Sequence, residues 1–218
     1  MTRMQPDYSV YLVTDRTLCV SGTLEDVVAR AVQGGVTMVQ LREKQLCTRE
    51  FVELGRALRA LLAPRGVPLL VNDRVDVALA CGADGVHIGQ SDIRYADARR
   101  LMGAGAVIGV SVESVEQAAE AERCGADYMG VSPVFATPTK TDTSAPWGLE
   151  GLRGLRRRFS LPLVAIGGIG PDNAAEVFEA GADGIAVVSA ICASPDPQQA
   201  AATLRAVARG KRRAAAVL

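Results

Sequence analysis

The feature that most constrains this chain is an alternation carried along nearly its whole length. Short β-branched runs are followed by longer stretches in which apolar residues recur at helical spacing. Strand, helix and parallel strand in strict rotation is the signature of repeated βα units, and eight of them can be counted. The reading is therefore an α/β protein with one (β/α)8 TIM-barrel domain spanning 1–218, and the basic run Arg209-Gly210-Lys211-Arg212-Arg213 reads as a flexible tail over 209–218. The expected strands run from about Tyr8 to Asp15, Thr37 to Glu43, Val67 to Asp73, Gly85 to Gly89, Val107 to Val112, Tyr128 to Val134, Pro162 to Ile169 and Gly184 to Ile191.

Three helix-to-strand junctions read alike: Gly82-Ala83-Asp84, Gly125-Ala126-Asp127 and Gly181-Ala182-Asp183. Glycine ends the helix in a left-handed conformation, and Asp can bond local backbone N–H groups. These junctions fall at the N-terminal ends of strands, the end of such a barrel that serves stability, so the three carboxylates are read as structural.

Composition removes several functions. Lys plus Arg and Asp plus Glu each number 24, and aromatics make up 4% of the chain, which leaves neither the field nor the stacking surface that nucleic-acid binding uses. No apolar run approaches the ~18 residues that span a bilayer. The five cysteines are odd in number and lack a Cys-x-x-Cys pair, which fits a reduced, cytoplasmic setting better than a disulfide or zinc framework.

Ligands of this fold meet the C-terminal ends of the strands, and there the chain is polar. The second strand ends in Gln40-Leu41-Arg42-Glu43-Lys44, whose alternation points Gln40, Arg42 and Lys44 one way as an anion clamp. Asn72-Asp73 and Gln90-Ser91-Asp92 bring two carboxylates to neighbouring positions. Each could cap the following helix, but together they suit a Mg2+ ion completed by a bound diphosphate. Ser111 stands at the same rim. The seventh strand runs into Gly167-Gly168 and the eighth into Val188-Ser189, the position of the backbone phosphate cradle common to many barrels. After the sixth strand runs a loop from Ser132 to Gly148 with Thr137, Thr139 and Lys140, equipped to hold phosphate oxygens and stiffened by Pro133, Pro138 and Pro146. The single histidine, His87, lies within the apolar fourth strand and is read as a hydrogen-bonded core residue.

Five of these stretches, Gln40 to Lys44, Val71 to Arg74, Gly85 to Asp92, Thr137 to Lys140 and Ala165 to Ile169, resemble the thiamine-phosphate synthase family in order along the chain. The resemblance implies a transferase that joins hydroxymethylpyrimidine diphosphate to a thiazole phosphate, releasing diphosphate, with one Mg2+ per subunit. It implies that Gln40, Arg42, Lys44, Asn72 and Ser111 bind the pyrimidine diphosphate and that Asp73 and Asp92 carry the metal. Lys140 would neutralise the leaving group, while Thr137, Thr139, Gly168, Val188 and Ser189 receive the thiazole phosphate. Arg42, Lys44, Lys140 and Ser111 would thus be the catalytic set, and the partners are small molecules. The related thiazole tautomerases usually lack the Thr-Pro-Thr-Lys stretch, and a barrel that only senses thiamine precursors need not keep both carboxylates. After Ser111 this chain reads Val112-Glu113-Ser114, where many relatives are expected to carry a histidine.

Overall fold

The computed structural model describes residues 6–137 and 145–215, with the side chains of the final helix through Gly210. Eight parallel strands close into a barrel in sequence order. They are β1 (Val10–Val13), β2 (Met38–Leu41), β3 (Leu69–Asn72), β4 (Gly85–Ile88), β5 (Val107–Val112), β6 (Tyr128–Val131), β7 (Leu163–Ile166) and β8 (Gly184–Val187). Around them lie α1 (Leu24–Gln33), α2 (Thr48–Leu62), α3 (Val75–Cys81), α4 (Tyr95–Met102), α5 (Val115–Cys124), α6 (Gly148–Arg158), α7 (Ala174–Glu179), α8 (Ser189–Cys192) and α9 (Pro197–Ala215). The last helix includes the basic run at Arg209–Arg213. Among the described residues no helix is long and apolar enough to cross a membrane.

Most strands are shorter than their apolar runs suggest, because a residue can be buried above the barrel after its ladder has ended. Val134, 0% exposed but beyond β6, donates its N–H to the Ile166 carbonyl. The eighth strand was expected to reach Ile191. It ends instead at Val187, and Val188 (φ −113°, ψ −80°) turns the chain into α8. A Ser114–Gln117 capping box at the start of α5 is half made. Ser114 Oγ accepts from Gln117 N–H, but Gln117 Oε1 takes the N–H of Glu113 instead of Ser114.

Strand alternation divides the core into two clusters. Outward residues of the strands pack on the apolar faces of the helices, with Val10, Leu12, Val39, Leu41, Val71, Val86 and Ile108 meeting Val27, Val28, Phe51, Leu58 and Val77. Inward residues, including Tyr8, Tyr11, Met38, Leu70, Tyr128, Val164 and Ala186, fill the barrel itself. Tyr128 fits because its β5 partner is Gly109, where a Cβ would overlap the phenol ring.

The junction aspartates perform the structural role read from the sequence, by one device used three times. Asp84 Oδ2 accepts the N–H of Leu69 (2.9 Å), Asp127 Oδ2 that of Ile108 (2.7 Å) and Asp183 Oδ2 that of Leu163 (2.8 Å), so each carboxylate ties down the start of the preceding strand. The same aspartates donate their own N–H to the carbonyls of those residues. Each is paired with an arginine from a helix: Arg59 from α2, Arg99 from α4 and Arg156 from α6. Thr37 completes the set without charge, its Oγ1 accepting from Val10 N–H at the start of β1.

Candidate active site

The strands' C-terminal ends open into a cavity of about 850 Å3. Gln40, Arg42, Lys44, Asn72, Asp73, Asp92, Ser111, Thr137, Gly168, Val188 and Ser189 all line it. Thr139 and Lys140 lie outside the described residues. The two ends of their loop are fixed to the barrel: Phe135 N–H donates to the Gly167 carbonyl, and Trp147 and Gly148 donate to those of Pro133 and Val134.

On one side of the cavity the charges are paired across strands. β2 ends at Leu41, so Arg42 and Lys44 project from the loop beyond it. Lys44 Nζ meets Asp73 Oδ2 at 2.9 Å, and Arg42 lies 3.6 Å from Asp15 Oδ2. Asp73 takes a left-handed φ of 63°, the one positive value outside glycine among the described residues. Such a conformation costs a non-glycine residue about 1–2 kcal/mol and persists only where the surroundings enforce it. Neither aspartate caps a helix. The N-cap positions of α3 and α4 belong to Arg74 and Arg94, and Asp92 Oδ2 instead accepts the N–H of Gly89 at 2.7 Å.

The two carboxyls also meet each other, and their protonation separates accordingly. Burial pushes Asp73 upward, but the Lys44 ammonium and a hydrogen bond with Asp92 outweigh it and hold Asp73 below the usual aspartate range. Asp92 is pushed up, by burial first and then by the Asp73 charge, against the lowering effect of the Gly89 N–H. Adjacent carboxylates that repel in this way are relieved by a divalent cation. Among the described residues no group of three or more His, Cys, Asp or Glu could hold a metal, so Asp73 and Asp92 could serve a divalent ion only where water and phosphate oxygens supplied its other ligands.

The opposite side is built from backbone. Asn173 Oδ1 accepts from Gly170 N–H and its Nδ2 donates to the Gly168 carbonyl, which locks the turn after β7. Asn173 stands at the N-cap of α7. The first N–H groups of α8, at Ser189 and Ala190, have no carbonyl a turn earlier in the helix to bond, and both residues line the same cavity.

His87 is hydrogen-bonded, as expected, but it is a wall of the cavity as well as a core residue. Its Nδ1 lies 2.8 Å from Tyr128 Oη and its Nε2 2.8 Å from Ser111 Oγ. Tyr128 Oη is 3.0 Å from Tyr11 Oη, which accepts from Gln40 Nε2 at 2.7 Å. This polar chain was missed from the sequence because Tyr11 and Tyr128 sit in apolar strands. The available signal was parity: both share the inward face with Gln40 and Ser111.

Comparison with known proteins gives a consistent result. The family model described as thiamine monophosphate synthase matches residues 10–191. A thiamine-phosphate synthase of Albidiferax ferrireducens is 62% identical over 196 residues, covering 90% of each chain. One from Leptospira biflexa is 53% identical over 200 residues, covering 90% of this chain and 95% of that one. The solved structure of a thiamine phosphate pyrophosphorylase from Pyrococcus furiosus superposes with a TM-score of 0.87 at 41% identity, covering 95% of this chain and 98% of that chain. Matches of this extent show that the chain belongs to the thiamine monophosphate synthase family.

Proposed function

We propose that this member of a transferase family makes thiamine phosphate by joining hydroxymethylpyrimidine diphosphate to a thiazole phosphate. The observation that carries the reading is the pairing, in one cavity, of a charged wall with Asp73, Asp92, Lys44 and Arg42 and a backbone wall at Gly168, Val188 and Ser189. Two phosphorylated substrates need two anion sites, and a cavity of about 850 Å3 can hold both.

In the reaction the bond between the pyrimidine methylene carbon and the diphosphate oxygen breaks, and the electron pair leaves with diphosphate. The thiazole nitrogen then donates its pair to that carbon, forming the new carbon–nitrogen bond. Arg42 and Lys44 place positive charge where the leaving group gathers negative charge, a role the family resemblance gives to Lys140 as well. Gln40 and Asn72 hold the pyrimidine, Ser111 donates to a diphosphate oxygen, and Thr137 with the backbone of Gly168, Val188 and Ser189 holds the thiazole phosphate. Mg2+ held by Asp73 and Asp92 would supply further positive charge to the diphosphate oxygens. Holding both substrates together makes carbon–nitrogen bond formation effectively unimolecular and leaves little water to compete for the cation.

The test is product formation from the two substrates by the purified protein, with Asp92→Ala as control. Thiamine phosphate and diphosphate in equal amounts, lost in the variant, support the reading. Their absence from the unaltered protein contradicts it.

A further inference from the structure

The chain Gln40–Tyr11–Tyr128–His87–Ser111 crosses the barrel from one wall of the cavity to the other. Tyr11 and Tyr128 are 1% and 0% exposed, and Gln40 is 3% exposed, so an unmade hydrogen bond within the chain has no water to replace it. That requirement gives the chain a direction. Gln40 Nε2 donates to Tyr11. Tyr11 must then spend its one hydroxyl hydrogen on Tyr128, and Tyr128 must spend its own on His87 Nδ1. His87 therefore carries its proton on Nε2 and donates to Ser111 Oγ, leaving the Ser111 hydroxyl hydrogen for the cavity. Only complete reversal satisfies every member equally, with His87 protonated on Nδ1 and the Gln40 amide turned end for end.

The amide orientation decides what the cavity can read. With one Nε2 hydrogen committed to Tyr11, Gln40 presents Oε1 and its second N–H side by side, and Oε1 accepts no hydrogen bond from the described residues. This acceptor–donor edge complements an exocyclic amino group next to a ring nitrogen. A ring with a carbonyl next to a ring N–H offers the reverse edge and needs the reversed chain. A diphosphate oxygen at Ser111 favours the first direction, because only there is the serine hydroxyl free to donate to it.

We propose that Tyr11, Tyr128 and His87 are positioning residues: a one-way hydrogen-bond chain from Ser111 to Gln40 that makes the site select an aminopyrimidine diphosphate over its oxopyrimidine counterpart. The inference rests on the function proposed above, with Gln40 facing the pyrimidine and Ser111 the diphosphate. Tyr11→Phe releases the Gln40 amide to turn, and Tyr128→Phe cuts the chain at its middle while leaving the ring in place. Tyr8→Phe is the control, since Tyr8 packs on Tyr128 with ring centroids 5.0 Å apart but lies outside the chain.

The experiment measures kcat/KM with the aminopyrimidine diphosphate and with the oxopyrimidine diphosphate, at fixed thiazole phosphate. Discrimination by buried hydrogen-bonding groups is large in the unaltered enzyme, because the wrong edge leaves them unpaired. Tyr11→Phe and Tyr128→Phe should each lower kcat/KM for the amino substrate about tenfold, the size of one lost hydrogen bond, and narrow the amino-to-oxo ratio by about the same factor. Tyr8→Phe should leave the ratio unchanged. An unchanged ratio in both chain variants, whatever their overall activity, overturns the inference, as does equal narrowing in Tyr8→Phe. If the unaltered protein makes no product, the functional reading has failed on its own. The ratio is then read by calorimetric binding of the two diphosphates, where the same outcomes decide.

Discussion

The junction aspartates offer a graded test of how this barrel is held together, because one device recurs at three depths. Asp127, with 7% of its side chain exposed, pairs with Arg99 at 2.6 Å; Asp84, at 13%, pairs with Arg59 at 3.2 Å; Asp183, at 45%, pairs with Arg156 at 2.9 Å. Alanine at position 127 strips the half-buried Arg99 of its carboxylate partner and leaves the Ile108 N–H without an acceptor. Breaking a buried pair costs about 3–5 kcal/mol, whereas at position 183 water replaces the carboxylate and the loss is about 1 kcal/mol. For a domain of this size, each kcal/mol moves the melting temperature by about 2–4 °C. Asp127→Ala should therefore lower it by about 6–20 °C, Asp183→Ala by about 2–4 °C, and Asp84→Ala by an intermediate amount. Scanning calorimetry and urea titration of the three variants check this. The same variants should keep kcat/KM within about twofold at low temperature, since the junctions lie at the end of the barrel away from the cavity. Equal losses, or a larger loss at 183 than at 127, would refute the argument that burial sets the value of each pair.

Other expectations follow from single sites. Asp73→Asn and Asp92→Asn should each lower product formation by about 100-fold or more and weaken its Mg2+ dependence, read by titrating Mg2+ in the assay. Gly109→Ala should destabilise the barrel by about 1–3 kcal/mol through overlap with Tyr128, measured by urea unfolding. Hydrogen bonds from Ser9 and the Arg205 charge outweigh burial and hold the Asp7 carboxyl below the ordinary aspartate range. Its contribution is thus complete above the unfolded aspartate pKa and disappears as pH falls through the lower, folded value, so Asp7→Asn should reduce the stability lost between pH 6 and pH 3. Burial pushes the Cys192 thiol up to about 12, and Cys47 is exposed. Brief iodoacetamide treatment at pH 8 should therefore alkylate Cys47 and spare Cys192 in the folded protein, as peptide mass spectrometry would show.

The barrel was legible because its two signals are local. The βα rhythm follows from the side-chain periods of 2 and 3.6, and the Gly-Ala-Asp junctions announce where helices stop and strands start. Fixing the strand ends then told which polar residues stand at one rim, and Gln40, Asp73, Asp92 and Ser111 could be gathered without coordinates. Strand ends were less clear, since burial continues past the ladder at Val134 and into α8 at Ile191. The interior chain was not legible at all. Tyr11, Tyr128 and His87 lie in three separate strands, and their contact depends on barrel closure and on glycines at 109 and 130 that clear space for the rings. No local pattern reports that kind of complementarity.

The central claim is that this cavity condenses a pyrimidine diphosphate with a thiazole phosphate at a charged wall completed by Asp73 and Asp92. Its most direct test is a single-turnover assay of the purified protein with both substrates, with and without Mg2+, following thiamine phosphate and diphosphate together. The account predicts one diphosphate released per thiamine phosphate formed, only with Mg2+ present, and loss of both products in Asp92→Ala. Product formed equally well without Mg2+, or unaffected by the substitution, would contradict it.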